Sequence, residues 1–240
     1  MNYLETFAII ALAGMIHASF QLSVSMLTLL SGHAIGSKTS QARLSRLTGG
    51  FVAGAMIMTT LIVSFLSYVA SVIFGSVVSP LAWAVACGIS LGLALGVWIF
   101  YYRKERGTAL WVPRPMARFL SERTKATKLS AEAFSLGVTS VIAELLFIIA
   151  PATIASFALV SLPNDLQLLG IALYVFIASL SLLGVYVMVG SGHKLSRIQR
   201  WREDNKRFLQ FAAGSALAVL GFYVYVNEVV VAAVAVAGAL

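Results

Sequence analysis

The sequence predicts an all-α membrane protein: six transmembrane helices in two inverted three-helix repeats, with both termini outside. Three observations carry this. Hydrophobic residues make up 60% of the 240 and charged residues 11%, less than half the share of about 25% usual in soluble domains. The mean hydropathy is +0.92. All 17 Lys and Arg residues fall in alternate connections between apolar stretches. A soluble globular domain is thereby excluded. A disordered chain needs low hydrophobicity and high net charge, and a single Cys cannot build an intramolecular disulfide framework.

A hydrocarbon core roughly 30 Å thick requires about 20 apolar residues of helix. Six stretches qualify: Leu4–Leu30, Phe51–Phe74, Leu81–Tyr102, Phe134–Leu162, Leu166–Val189 and Leu209–Val226. Each is continuously apolar, where a barrel strand would alternate. The first lacks the basic start of a signal peptide and is too long for one, so it is expected to be a span. The tail Val229–Leu240 follows Asn227 and Glu228 and is too short to cross. It is read as the end of the sixth helix, lying toward the interface.

Charge placement orients the spans. Lys38, Arg43 and Arg46 lie between spans one and two. The cations from Arg103 to Lys128 lie between three and four, and those from Lys194 to Arg207 between five and six. The connections Gly75–Pro80 and Pro163–Asp165 carry none. The positive-inside rule puts the basic connections in the cytoplasm. A net charge of +8 and a pI of about 9.9 then describe a face beside anionic lipid, not a nucleic-acid surface. The expected partners are the lipid bilayer, anionic lipid at the basic cytoplasmic loops, and an unidentified small solute or ion. Met116, Phe119 and Leu120, set among Arg114, Arg118 and Arg123, predict a helix lying on the lipid surface. Pro113 and Pro115 precede it and mark the join of two halves. The organisation is a single membrane domain: repeat one at 1–102, a cytoplasmic linker at 103–131 and repeat two at 132–240.

Internal similarity supports the halves. Gly14 to Leu22 in span one aligns with Gly137 to Leu145 in span four without a gap. Leu95-Gly96-Val97-Trp98 aligns with Leu220-Gly221-Phe222-Tyr223 in nearly the same register. Three spans per copy is an odd number, so the second copy enters the membrane inverted, an arrangement that places a site near the midplane in transporters.

The polar residues inside spans are the functional candidates. Glu144 falls near the middle of span four, where a carboxylate is costly unless paired, hydrated or protonated. His17 sits mid-span in the first helix, with Gln21 one turn further on the same face. Ser23, Ser25 and Thr28 continue a polar run. In the repeat register Gln21 and Glu144 face each other. One reading is a midplane site of His17, Gln21 and Glu144, with Glu144 carrying a proton or holding a cation and His17 as its partner. The other is a neutral Glu144 that only bonds two helices together, worth about 1 kcal/mol. Pro151, two turns on, can kink the helix and free a carbonyl for the site, or mark an ordinary packed kink. His33 and His193, in matching Ser-Gly-His phrases, suit helix C-termini better than they suit metal binding. Gly88, Gly92 and Gly96 form a small face suited to helix packing. The sequence has no phosphate loop, no HExxH and no catalytic Ser-His-Asp arrangement, so no enzyme activity, cofactor or metal is expected.

Gly50-Phe51-Val52-Ala53-Gly54, Arg200-Trp201-Arg202 and Gly214 to Tyr223 resemble the membrane domain of the cytochrome c biogenesis protein CcdA. That domain is related to the central domain of the thiol reductant conductor DsbD and is grouped with LysE-type exporters. The resemblance covers nearly the whole chain. It implies an alternating-access scaffold in the bacterial cytoplasmic membrane. The family's reactive cysteines have no counterpart: the corresponding stretches read Ser19-Phe20-Gln21-Leu22 and Ile142-Ala143-Glu144-Leu145. The dithiol relay is therefore not carried over, and polar groups stand near its positions. The expected function is a small-solute or ion transporter with Glu144 as coupling carboxylate. The alternatives are a non-transporting assembly factor that holds a partner through its basic loops, and a thiol relay through Cys87.

Overall fold

The computed structural model describes residues 2–20, 22–36, 40–101, 114–191, 201 and 204–237. Among them every regular element is helical, with no strand. The order is α1 (Tyr3–Ser19), α2 (Leu22–Gly36), α3 (Gln41–Phe74), α4 (Pro80–Gly96), a π-helical segment (Val97–Tyr101), α5 (Arg114–Ala126) and α6 (Ser130–Val160). There follow α7 (Asn164–Ala178), α8 (Leu180–Gly190), α9 (Lys206–Val224), a second π-helical segment (Tyr225–Val230) and α10 (Val231–Ala237).

Four helices are long and apolar enough to cross a membrane, and six stretches are if each bent pair is one crossing. The bent pairs are α1 with α2, at 49°, and α7 with α8, at 55°. The apolar stretches read as the first and fifth spans are therefore each divided into two helices. Exposed Phe65, Tyr68, Leu81, Ile99, Phe176 and Phe222 give the outer surface the apolar character a lipid environment requires.

Local chemistry sets the ends. Asn2 and Glu5 form a reciprocal capping box: Glu5 N donates to Asn2 Oδ1 at 2.9 Å and Asn2 N to Glu5 Oε2 at 3.1 Å. Ser79 caps α4, with Pro80 at its first position, where the missing N–H costs nothing. Gly75 ends α3 with φ 66°, a left-handed conformation that favours glycine. At the start of α6, Glu132 Oε2 accepts from Lys128 N at 2.7 Å and Leu129 N at 3.0 Å.

Helix α6 is the centre of the bundle. It packs against α1, α2, α3, α4, α5 and α7, and half of its apolar window is buried, against 22% for α3. Its closest neighbour is α3, and three glycines make that approach possible. A Cβ on Gly54 would run into the Phe134 carbonyl oxygen, and one on Gly137 into the Phe51 carbonyl oxygen. Gly50 lies close against the Ser130 carbonyl oxygen, though less tightly. The sequence assigned close packing to Gly88, Gly92 and Gly96 instead. A Cβ at any of those three meets nothing within 4 Å, so the packing seam belongs to α3 and α6.

The span boundaries extend beyond the apolar runs. Helix α3 has 34 residues, about 51 Å at helical rise, and begins at Gln41, ahead of the expected Phe51. Its first turns are polar, so hydropathy alone does not see them. A helix, α5, occupies the segment expected to lie on the lipid surface, with Phe119 exposed and Leu120 buried. It docks on α2 through Thr124 Oγ1, 3.5 Å from Met26 Sδ. The starts of α3 and α6 and the end of α8 meet at one end of the bundle: Gln41 Nε2 donates to Val189 O at 2.6 Å, and Arg43 Nη2 donates to Lys128 O at 3.2 Å. Helix α2 runs through Gly32 to Gly36. The His33 side chain and all of His193 lie outside the described residues, as do the cations of 102–113 and 192–200 and the Met116 side chain.

Candidate functional site at a helix break

The site forms where the first span breaks. Phe20 takes an extended conformation, φ −80° and ψ 129°, so α1 stops and α2 starts afresh at Leu22. A helix start leaves backbone N–H groups without intrahelical partners, a serious cost at membrane depth. One of them is answered from α6. Ser23 N donates to Glu144 Oε1 at 2.6 Å, and Ser23 Oγ donates to Glu144 Oε2 at 3.0 Å. The carboxyl group thus caps α2 from a residue 121 positions away. A negative group also suits the positive end of a helix dipole.

Two serines extend the contact. Ser23 Oγ lies 3.0 Å from Ser140 Oγ, and Ser140 Oγ donates to Gly137 O at 2.8 Å. Ser140 is four residues before Glu144 on the same face of α6. Three oxygen–oxygen contacts therefore run in series from Glu144 through Ser23 and Ser140 to Gly137. The two serine hydroxyls supply two protons to them.

His17 occupies the last turn of α1. Its Nδ1 lies 3.1 Å from Tyr174 Oη on α7, and the rings are tilted with centroids 5.7 Å apart. His17, Tyr174, Glu144, Ser23 and Ser140 are all buried. The carbonyl of Ala18, at the open end of α1, accepts from Ser181 Oγ at 3.2 Å. Ser181 is at the start of α8, so the two bent spans meet at their breaks. Between them lies a cavity of about 20 Å³ whose lining includes His17, Phe20, Ser23, Thr59, Glu144, Ser179 and Ser181. That is room for one water or one bare ion. Phe20 closes one side by stacking on Phe147 at 5.4 Å.

The sequence-predicted residues fare differently. His17 and Glu144 share the cavity, but the hydrogen bond of His17 goes to Tyr174 and Glu144 is held by Ser23. Gln21 lies outside the described residues. Pro151 is buried within a continuous α6, seven residues or about 10 Å beyond Glu144, and does not line the cavity. Sequence reasoning missed Tyr174, Ser179 and Ser181. Ser140 was within reach, since its spacing from Glu144 is visible. Nothing in the local sequence marks Tyr174 as a partner for His17. Among the described residues no group of three His, Cys, Asp or Glu could hold a metal ion. No family model, curated protein or solved structure matches this chain.

Proposed function

We propose that this protein is a membrane transporter of a small solute or ion, with Glu144 as its coupling carboxylate. The observation that carries the reading is the carboxyl of Glu144, seated on the open start of α2 at a break in the first span and lining a part-polar cavity. Discontinuous helices around a midplane site are the recurrent architecture of secondary transporters. An ionisable residue at that depth is a functional candidate by default.

The hydroxyl geometry supports a proton as the coupling species. A proton on Glu144 Oε2 would donate to Ser23 Oγ, Ser23 would donate to Ser140, and Ser140 donates to Gly137 O. All three contacts would then be hydrogen bonds at once. Loss of that proton would leave the serines one donor short and would alter how α2 is held. In the present state the cavity admits nothing larger than a water or an ion, so a larger solute requires a second conformation with the breaks apart. The six-span topology with basic loops in the cytoplasm, the inverted repeat and the relation to CcdA-type membrane domains belong to the same proposal. A π-helical segment lies near the aligned stretch in both span three and span six, at Val97–Tyr101 and Tyr225–Val230, three residues apart in the repeat register.

Transport by proteoliposomes containing Glu144→Gln tests the reading. The amide keeps an oxygen for Ser23 N but cannot exchange a proton. Transport and its pH dependence should both be lost while the protein stays folded. Unchanged transport with an unchanged pH profile would remove Glu144 from the mechanism and leave it as a helix cap. The thiol-relay alternative finds little support, because Cys87 is buried.

A further inference from the structure

A second built feature lies at the opposite kind of surface, the basic end of the bundle. The starts of α3 and α6 converge there around a cleft of about 340 Å³, within the range of ligand pockets. Its lining is Ser40, Ala42, Arg43, Arg46, Leu47, Lys128, Leu129 and Ser130. Three of these side chains are cationic and, among the described residues, none is acidic. Arg43, Arg46 and Lys128 are exposed. The hydrogen bond from Arg43 Nη2 to Lys128 O at 3.2 Å ties the two walls together and holds a guanidinium over the cleft. The nearest carboxylate on α6, Glu132, is turned to the backbone N–H groups of Lys128 and Leu129. Two long helices point their N-termini at this end, adding favourable potential for an anion.

Depth adds a second constraint. The apolar run of α3 begins at Phe51. Arg46 stands about 8 Å before it and Arg43 about 12 Å, by helical rise. In a bilayer this is the headgroup layer and its inner edge. Guanidinium groups bind phosphate oxygens in paired geometry.

We infer that the Arg43, Arg46 and Lys128 cleft is a specific binding site for a phosphate group. The group comes either from the headgroup of an anionic phospholipid or from a free phosphate-bearing solute. This rests on the membrane-spanning reading and is independent of any transport by Glu144.

Native mass spectrometry of the 240-residue chain, reconstituted with equal amounts of phosphatidylglycerol and phosphatidylcholine, tests it. The wild type should retain phosphatidylglycerol selectively. Arg46→Gln, which leaves the Arg43 bond in place, should weaken retention about fivefold, and Arg43→Gln with Arg46→Gln about twenty-fivefold, at the usual contribution of one surface cation near anionic lipid. Arg118→Gln with Lys125→Gln, the same loss of charge on α5, should weaken it clearly less than the cleft double variant does, because neither side chain lines the cleft. Inorganic phosphate is then added at millimolar concentration. Displacement of the lipid identifies a solute phosphate site, and persistence of the lipid identifies a bilayer headgroup site. Equal losses in the cleft and α5 variants would overturn the inference, because only diffuse attraction would remain. So would equal retention of the two lipids with no effect of phosphate. If the double variant does not fold, Arg46→Gln decides alone.

Discussion

Helix α6 presents two contrasting faces within about three turns. Toward α3 it offers Gly137 and the Phe134 carbonyl to a seam where the backbones touch. Toward α1 and α2 it offers Ser140 and Glu144, which hold a broken helix by side chains alone. The seam leaves no room for a side chain, because a Cβ at these glycines collides with backbone. The polar face can exchange its partners: a proton, a water or an ion can replace one hydrogen bond with another. A tightly packed pair α3–α6 beside bent spans is an arrangement that the proposed transport could use. The two bends also differ from each other. At Ser179 the backbone ladder continues, with Ser179 N bonded to Val175 O and Leu183 N to Ser179 O. At Phe20 it opens, and only there does an acid step in.

The contrast can be broken from the seam side first. Gly54→Val should destabilise the protein most, by about 3 kcal/mol or more, because the clash is with main chain and cannot relax by rotamer change. Thermal unfolding in detergent measures it. Glu144→Ala should be next. It leaves Ser23 N–H without its acceptor, at a cost of about 1–3 kcal/mol, and the loss should be local. Hydrogen exchange should rise around Phe20 to Val24 and remain low at Gly54. If exchange rose equally along α3, the two faces would not be independent. Tyr174→Phe removes the hydroxyl from His17 and should cost about 1 kcal/mol, with a shift in the pH dependence of transport if the imidazole responds to its environment. Gly88→Ala should be the smallest, within about 0.5 kcal/mol, since open space surrounds it. A large loss there would show that the small face of α4 packs against something after all.

Much of the architecture was readable because lipid imposes it residue by residue. The six apolar stretches, their alternation with basic connections and the helix in the long linker all follow from local composition. The candidate acid was legible for the same reason: Glu144 is conspicuous in an apolar run. Its surroundings were not. Ser19-Phe20-Gln21-Leu22 contains no Gly or Pro, so no local signal announces that α1 ends there, and Ser179 is no better marked. The glycines of α4 looked like a packing stripe because spacing reports which residues share a face, not what that face meets. Gly50, Gly54 and Gly137 carry the contact instead, and only the position of α3 against α6 distinguishes them.

Hydropathy and charge are properties of single residues in a given solvent, so the apolar spans and the basic end were settled along the chain. The break at Phe20, the seat of Glu144 beneath α2 and the bond between His17 and Tyr174 depend on groups 121 and 157 residues apart. An opened helix end becomes tolerable in an apolar medium only when another element delivers an acceptor to it, and that delivery is a matter of how the helices pack.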